Sequence, residues 1–270
     1  MENVFPTLSE IPVGLSTHFQ RMIDWLSYAN SQGALPRYKN LGHICPRSSS
    51  PTIYGFAGVL PTIFVRFINK NGKMDSGVLV EFKEFVNHIN IYMIPDNRAI
   101  NMDEVHKISL IDVRFGNMDR NPSNILVAIE EGIPHRIPID HEMCFVNDGQ
   151  DYDLCGPYWL TLENGLNEAL SQECMEYVAN LDVDADITFL RRCGWNFPEE
   201  YIERFKIFTT FLSKAVAQGL TPLHIGKIAS NKCNDRRFNL QEMVRSVDEE
   251  ELVALVGNRI DERLREYSII

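Results

Sequence analysis

The chain has 270 residues, of which 44% are hydrophobic and 23% are charged, so it can bury a sizeable core and has the composition of a soluble globular protein. Its formal net charge of −11 argues against broad binding to DNA or RNA, because a polyanion attracts basic surfaces. The six cysteines form no C-x-x-C pair, which favours reduced intracellular thiols. No apolar run reaches the ~18 residues of a membrane span, and no signal peptide opens the chain. We therefore expect a cytoplasmic protein, with peripheral contact to membranes left open.

Residues 1–57 are the predicted N-terminal part of the chain, separate from residues 58–270. Residues 1–15 contain two prolines and no clear period, so we expect a loose arm. In "STHFQRMIDWLSYANSQG" apolar residues recur at spacings of three and four, which predicts a helix that ends at Gly33. The polar, proline-rich residues 36–52 predict a loop.

Two further segments precede the centre of the chain. "GVLPTIFVRFINKNGKMDSGVLVEFKEFV" predicts strand, turn and strand, because the Asn-Gly of "NKNGK" separates two apolar segments. "NMDEVHKISLIDVRF" can be capped by Asn101 or Asp103 and predicts a buried helix. A strand stays open as the alternative, because Ile108, Ile111 and Val113 are β-branched.

The remainder of the chain changes from strands to helices. "ILVAI" and "HRIPIDHEMCFV" predict two short strands joined by a turn at "EEGIP". "TLENGLNEALSQECMEYVANL" then predicts two short helices broken near Gly165 and Ser171, and "TPLHIGKIAS" and "DEEELVALVGNRIDERLREYSI" predict two more. The longest predicted helix, "PEEYIERFKIFTTFLSKAVAQG", has Pro198 in its first turn and stops at Gly219. Its predicted buried stripe is Ile202, Phe205, Phe208, Leu212 and Val216.

This order of elements predicts an α+β fold. A small, incomplete β-containing part comes first, and a mostly helical lobe follows from about residue 155 to the C-terminus.

The stretch "GNMDRNPSNILV" places Asp119, Arg120, Asn121 and Asn124 between two apolar segments. Phosphoryl transfer needs a carboxylate beside the attacking hydroxyl and oxygen ligands for Mg²⁺. Kinase catalytic loops contain an Asp, an Asn five residues later and, beyond a hairpin, a second Asp. Asp119 and Asn124 have this spacing, and the predicted hairpin leads to Asp140, so we expect the three side chains within about 4–7 Å of one another. By spacing alone, Asp119 and Asn124 could instead only cap a turn.

"GNMDRNPSNILV" and "IPIDHEMCF" resemble the "N-x-D-R-H-x-x-N-[IL]-L-V" and "IPIDHG" signatures of the phosphatidylinositol 3/4-kinase superfamily. The similarity is closest to type II phosphatidylinositol 4-kinases, particularly the plant gamma-type group. "EFKEFVNHI", "PYWLTLENGLNEALSQECMEYVANLD" and "FTTFLSKAVAQGLTPLHIGKIAS" resemble further segments of that group. The resemblance covers about residues 58–232, whereas residues 1–57 have no clear match.

The resemblance implies a role for three residues of the loop. Asp119 matches the catalytic aspartate, and Arg120 matches the arginine that structures the loop. Asn121 stands where the family has a histidine that is thought to assist the transferred phosphate. Asparagine can donate a hydrogen bond, but it cannot titrate near neutral pH.

The resemblance also implies ligand contacts around this loop. Asn124 and Asp140 match the magnesium ligands, and the backbone of Phe85 and Val86 matches the linker that binds adenine. Glu142 stands where the family has glycine, whose backbone torsions glutamate resists. A further carboxylate there would alter the metal site.

The front of the nucleotide-binding lobe has no match in this sequence. Upstream of residue 58 there is no phosphate-covering hairpin and no "V-x-K" strand with an ATP-binding lysine, and Lys39 lies in a predicted loop. We therefore expect the chain to begin inside the kinase domain and to have very weak or no activity by itself.

The function implied by the resemblance is transfer of the γ-phosphate of ATP, with Mg²⁺ or Mn²⁺, to phosphatidylinositol at a membrane surface. ATP and phosphatidylinositol are the expected partners, and nucleic acid is not. The residues themselves argue only for phosphoryl transfer. A protein kinase of the same superfamily stays open, and so does a non-catalytic scaffold or binding protein, which Asn121, Glu142 and the missing lysine favour.

Overall fold

The computed structural model describes most of the chain beyond residue 100 and shorter segments before it. The described ranges are 56–60, 62–68, 74–80, 86–87, 101–130, 133–144, 152–192, 198–245 and 252–267. The helix predicted before Gly33, the loop predicted over 36–52 and the linker residue Phe85 lie outside them. The lack of an upstream phosphate-covering hairpin therefore stays a prediction.

The β-containing part consists of two small antiparallel sheets. Strands β1 (Thr62–Ile68) and β2 (Met74–Val80) pair with each other, which confirms the two predicted strands, while the turn predicted between them lies outside the described residues. Strands β3 (Val86–Asn87), β4 (Ile125–Glu130) and β5 (Ile133–Pro138) form the second sheet in that order. The predicted hairpin between the loop and Asp140 is therefore β4 and β5, which are adjacent antiparallel strands.

The remaining regular elements of the described chain are helices, which confirms the predicted α+β organisation. Among the described helices, none is both long enough and apolar enough to cross a bilayer. Three 3-10 turns connect the elements, at Pro122–Asn124, Tyr158–Thr161 and Arg236–Phe238. The helices are α1 Met102–Phe115, α2 Glu163–Leu166, α3 Gln172–Ala179, α4 Val183–Arg192, α5 Glu199–Ala217, α6 Pro222–Ala229, α7 Leu240–Arg245 and α8 Leu252–Tyr267.

Helix α1 resolves the choice between helix and strand left open by the sequence. The side chain of Asn101 accepts a hydrogen bond from the backbone N–H of Asp103 at 3.2 Å, so Asn101 is the N-cap. Gly116 ends the helix with φ +57°, a left-handed conformation that glycine adopts without strain. A Cβ at Gly116 would also lie 3.0 Å from the ring of Phe208. Buried residues occupy nearly all of the second half of α1, because the helix lies inside the lobe.

The main core lies where α5 packs against α1 and α8. Four residues of the predicted stripe are buried, and Val216 is half-buried at the edge of the core. Pro198 is the N-cap of α5 rather than part of its first turn, because its ψ of 147° is not helical. Gly219 follows the helix with φ +77°, as expected for a stop.

The helical lobe differs from the sequence prediction at two places. Gly165 lies inside the short helix α2, while Ser171 caps α3 through a hydrogen bond from the N–H of Cys174. Helix α7 was not predicted from the sequence. Its Leu240 and Met243 are buried, but six residues are too few for their periodicity to be distinctive.

Candidate active site

The loop between α1 and β4 begins with a buried asparagine. The amide of Asn117 donates to Oδ1 of Asp112 at 3.0 Å, and its carbonyl oxygen accepts from the N–H of Asp119 at 3.0 Å. The backbone N–H of Asn117 also bonds to the carbonyl of Asp112 at 2.9 Å. The start of the loop is therefore attached to α1 and holds the backbone of Asp119.

Asp119 is exposed, yet both of its carboxylate oxygens are hydrogen-bonded. Oδ1 accepts from the amide of Asn121 at 2.8 Å, and Oδ2 accepts from the amide of Asn124 at 3.1 Å. The same Asn124 nitrogen donates to the carbonyl of Asp119 at 2.8 Å. Two asparagine side chains thus orient a carboxylate that faces solvent, where a substrate could reach it.

Asn121 also caps the 3-10 turn Pro122–Asn124. Its Oδ1 accepts from the backbone N–H of Ser123 at 2.9 Å and from the Ser123 hydroxyl. This arrangement fixes the amide plane and directs Nδ2 to Asp119. The residue that caps this turn is therefore Asn121, whereas the alternative drawn from spacing alone assigned turn capping to Asp119 and Asn124.

Arg120 is 1% exposed, and all five of its N–H groups have acceptors in the loop and its surroundings. Nε donates to Oδ2 of Asp112 at 2.9 Å, and Nη2 donates to Oδ1 of Asp112 at 3.0 Å. Nη1 donates to the carbonyls of Asn124 at 2.6 Å and Ile139 at 2.8 Å. The remaining Nη2 bond goes to Nδ1 of His141 at 2.9 Å, so that nitrogen is the acceptor.

Asp140 follows β5 and is brought beside Asn124 by the backbone. The N–H of Ile139 donates to the carbonyl of Asn124 at 2.9 Å, and Arg120 binds both of these residues. Asp140 has φ +53°, an uncommon conformation that aspartate tolerates better than most residues and that occurs often at functional sites. The structure therefore brings Asp119 and Asn124 into direct contact and holds Ile139, the residue before Asp140, against Asn124. The predicted distance of about 4–7 Å to the Asp140 side chain stays a prediction.

Glu142 replaces a glycine of the signature without a left-handed backbone. Among the described non-glycine residues, positive φ occurs at Asp140, Cys155 and Asn231, and not at Glu142. The Glu142 side chain is exposed, and the turn around it is fixed to the loop by a hydrogen bond from Met118 N–H to the Met143 carbonyl at 3.2 Å. The strain expected at this position is absent because the positive φ falls two residues earlier.

Helix α1 also holds the β4–β5 hairpin through its first turn. Glu104 accepts from the backbone N–H of Arg136 at 2.9 Å and pairs with Nδ1 of His135 at 2.7 Å. Burial lowers the pKa of the Arg136 guanidinium below its ordinary value, and the Glu104 carboxylate partly offsets this. Both ends of α1 thus contact the site. Glu104 in the first turn binds the hairpin, and Asp112 near the C-terminal end binds the loop.

Asp112 and Trp159 are members of the site's polar network that were not singled out from the sequence for this role. Asp112 is fully buried and accepts from Arg120, Asn117 and, at 3.0 Å, the indole N–H of Trp159. Trp159 is itself buried. A charged residue inside the apolar "SLIDVRF" is the one signal that could have indicated a buried ion pair, because an isolated buried carboxylate is costly.

A second apolar cluster lies on the hairpin, apart from the main core. It contains Leu126, Ala128 and Ile137, with Leu60 and Ile139 packed against it. Val86, the described residue of the predicted adenine-binding pair, lies on β3 and pairs with Ala128. Because β3 is the edge strand of this sheet, one side of its backbone lies outside the sheet's own hydrogen bonds.

The candidate metal ligands are oxygen atoms of mixed type. No group of three or more His, Cys, Asp and Glu side chains that could hold a metal occurs among the described residues. The set around Asp119 instead combines carboxylates with the amide of Asn124, whose nitrogen is directed to Asp119 and whose oxygen is therefore directed away. Hard oxygen ligands of this kind suit Mg²⁺ or Mn²⁺.

These elements have the organisation of a kinase-like α+β fold, with a polar loop and an Asp-ending hairpin between a β-containing part and a helical lobe. A profile of the family described as "Phosphatidylinositol 3- and 4-kinase" matches residues 54–225. The match covers more than half of the chain and includes the whole site, so the chain belongs to the phosphatidylinositol 3- and 4-kinase family.

Curated plant proteins show the same relationship. Phosphatidylinositol 4-kinase gamma 3 of Arabidopsis thaliana is 31% identical over 241 residues, which cover 83% of this chain and 41% of the relative. Phosphatidylinositol 4-kinase gamma 2 of Arabidopsis thaliana is 32% identical over 209 residues, covering 74% of this chain and 37% of the relative. Phosphatidylinositol 4-kinase gamma 4 of Oryza sativa subsp. japonica is 30% identical over 211 residues, which cover 77% of this chain and 36% of the relative. The chain therefore spans about two fifths of the length of these relatives.

Proposed function

We propose that this chain transfers the γ-phosphate of ATP to an inositol hydroxyl of phosphatidylinositol, with Asp119 as the catalytic carboxylate. The observation that carries the proposal is the fixed orientation of Asp119 by Asn121 and Asn124, beside a hairpin that ends at Asp140. Membership of the family and the names of the relatives support the lipid substrate.

Asp119 has the exposure and the fixed orientation that a catalytic base needs. Each of its oxygens accepts one amide N–H and retains further lone pairs that can accept a hydrogen bond from a substrate hydroxyl. The hydroxyl is thereby oriented, and its proton passes to the carboxylate as the oxygen bonds to the γ-phosphorus of ATP and the bond from that phosphorus to the bridging oxygen breaks, releasing ADP. Asn121 does not titrate, so its role is to orient Asp119 and to offer a neutral donor near the transferred phosphate.

Asn124 and Asp140 are the residues that would hold a magnesium ion. When bound, Mg²⁺ would supply positive charge that offsets the charge developing on the phosphate oxygens. Arg120 contributes without touching substrate, because it ties the Asn124 carbonyl to the Ile139 carbonyl and so keeps the two ligand-bearing segments together.

The second apolar cluster is the proposed adenine-binding surface. Three of its aliphatic residues lie on the hairpin that leads to Asp140, Leu60 and Ile139 pack against them, and the strand that contains Val86 pairs with this hairpin. An apolar surface with a few backbone hydrogen-bonding groups beside it is typical of small-molecule sites. We assign the adenine hydrogen bonds to the backbone of Phe85 and Val86, in line with the family resemblance.

The test is a radiolabelled ATP assay on phosphatidylinositol vesicles, with Asp119→Asn as the site variant. Asp184→Asn is the matched control, because Asp184 is an exposed aspartate on α4 that pairs with Lys206. We expect weak lipid phosphorylation by the parent, the same level in Asp184→Asn, and a further loss on the order of 10²–10⁴-fold in Asp119→Asn. Labelling of added protein substrates but not lipid would support a protein kinase. No Asp119-dependent transfer to either substrate would contradict the proposal and support a non-catalytic scaffold.

A further inference from the structure

We infer that Asp112, in the third turn of α1, is a positioning residue for the transfer reaction. Its carboxylate joins the two segments that carry Asp119 and Asp140 to the rigid helical lobe. The inference rests on the proposed function and adds to it a group that touches neither substrate nor metal.

The Asp112 carboxylate accepts hydrogen bonds from three residues, two in the loop and one in the 3-10 turn Tyr158–Thr161. Oδ1 accepts from Asn117 and from Nη2 of Arg120, both at 3.0 Å. Oδ2 accepts from Nε of Arg120 at 2.9 Å and from the indole of Trp159 at 3.0 Å. Asp112 and Arg120 are 0% and 1% exposed, so this is a bidentate ion pair away from water, where geometry is most restrictive.

Two routes lead from this carboxylate to Asp119. The first passes through Asn117, whose other amide atom accepts from the N–H of Asp119. The second passes through Arg120, whose Nη1 binds the carbonyl of Asn124, the residue that orients the Asp119 side chain. Asp119 is therefore fixed at its backbone and at its side chain by groups that converge on Asp112.

The same arginine extends the network to Asp140. Nη1 of Arg120 donates to the carbonyl of Ile139 and Nη2 to His141, so the residues on both sides of Asp140 are bound to one guanidinium. Trp159 connects the network to the chain that follows the site, because the N–H of the neighbouring Tyr158 donates to the Arg120 carbonyl at 2.8 Å. Loss of the Asp112 charge would free the guanidinium to shift, and the spacing between Asp119 and Asp140 would shift with it.

The matched control for Asp112→Asn is Asp186→Asn. The Asp186 carboxylate also pairs with a buried arginine, Arg114, which lies on α1. Arg114 is 0% exposed, donates to Tyr177 at 3.0 Å and pairs with Asp186 of α4. This pair joins α1 to α4 of the helical lobe. Asp112→Asn and Asp186→Asn each remove one such negative charge beside a buried guanidinium, but only the first faces the site.

The experiment measures lipid phosphorylation and local hydrogen exchange for the parent and both variants, at a temperature where circular dichroism shows each to be folded. We expect kcat of Asp112→Asn to fall on the order of 100-fold with KM for ATP little changed, because misplacement affects the transition state more than binding. Amides of 117–124 and 139–144 should exchange faster in this variant only. Asp186→Asn should keep the parent's kcat and the parent's exchange in both segments.

The other outcomes separate failure of this inference from failure of the proposed function. If Asp112→Asn is folded and has the parent's kcat and exchange, the inference is overturned and the proposed function stands. If the parent shows no Asp119-dependent transfer, the proposed function fails. Hydrogen exchange then decides alone: faster exchange confined to the two segments supports positioning by Asp112, and unchanged exchange overturns it.

Asn117→Ala is the second variant, used if Asp112→Asn does not fold. It interrupts the first route without leaving a buried charge unpaired. We expect roughly a tenfold loss in kcat and faster exchange of the Asp119 amide. An unchanged kcat and exchange in folded Asn117→Ala would overturn the inference.

Discussion

The helical lobe and the loop over residues 116–124 are held together by different kinds of contact. In the lobe, α5 contributes a series of buried apolar side chains to one continuous core, and each makes many similar contacts. In the loop, the buried groups are polar, and each has a specific partner: Asn117 with Asp112, Arg120 with Asp112, and Asn124 with Asp119.

The difference implies different responses to substitution. Apolar packing is non-directional, so loss of one side chain leaves a cavity whose cost the surrounding core partly relieves. A hydrogen-bonded charge is directional, and loss of one partner leaves the other buried without compensation. We therefore expect lobe substitutions to change stability alone, whereas loop substitutions change stability and transfer together.

The largest expected effect is that of Arg120→Met. Methionine has an unbranched side chain of similar reach but no charge, so Asp112 would remain buried with its other donors and without its cation. We expect the free energy of unfolding to fall by about 3–5 kcal/mol and transfer to be lost. Chemical denaturation and the vesicle assay measure the two quantities.

Leu212→Ala is the comparison for Arg120→Met in the lobe. Leu212 is 0% exposed in α5, and its truncation should cost about 2–5 kcal/mol, a similar loss of stability. Transfer per folded molecule should stay at the parent's level. Equal loss of transfer in both variants would show that the loop responds to global stability rather than to its own polar contacts.

A smaller effect is expected from a titratable group inside the lobe. Burial raises the pKa of the Cys174 thiol from 9.0 to about 11. The pKa of this thiol is higher in the folded state than in the unfolded state. Its contribution to the free energy of unfolding is therefore complete below pH 9.0 and is lost as the pH rises towards 11. Between about pH 8 and about pH 10 the free energy of unfolding should fall by about 1 kcal/mol through this group.

Cys174→Ala isolates that contribution. Stability measured by denaturation at several pH values should decline less steeply in the variant than in the parent, whatever the change in packing does to the absolute value. Parallel declines in the two proteins would show that Cys174 does not titrate as its burial indicates. Transfer per folded molecule, compared at neutral pH, should be the same in both proteins.

Two kinds of feature were predicted from sequence. One is an element with a repeating pattern of apolar residues, and the other is a contact between residues that lie close together along the chain. The apolar positions of "NMDEVHKISLIDVRF" favoured a helix and left a strand open, and in α1 burial outweighs the low helix propensity of its β-branched residues. The short distance along the chain from Asn124 to Asp140 left little room for anything but a hairpin. Contact between Asp119 and Asn124 followed from their spacing.

The parts not predicted depend on partners brought together by the tertiary structure. Trp159 is 47 residues from Asp112, and no local pattern relates them. The Asp112–Arg120 pair spans a helix end and a turn, so neither helical nor strand periodicity applies to it. The ordinary backbone at Glu142 was also unexpected, because the signature's glycine does not reveal which neighbouring residue carries the positive φ.

The smallest expected effect is that of Asn101→Ala, at the end of α1 that lies away from the loop. Asn101 and Asp112 are separated by about three turns, on the order of 15 Å of helix, so fraying of the first turn should not reach the carboxylate. Loss of the cap should lower the free energy of unfolding by about 0.5–1 kcal/mol, and Ser171→Ala, which removes the cap of α3, should do the same. Transfer per folded molecule should be unchanged in both, as measured in the vesicle assay. If Asn101→Ala instead slows transfer while Ser171→Ala does not, the loop depends on the whole of α1, including the Glu104 contacts in its first turn, and not on Asp112 alone.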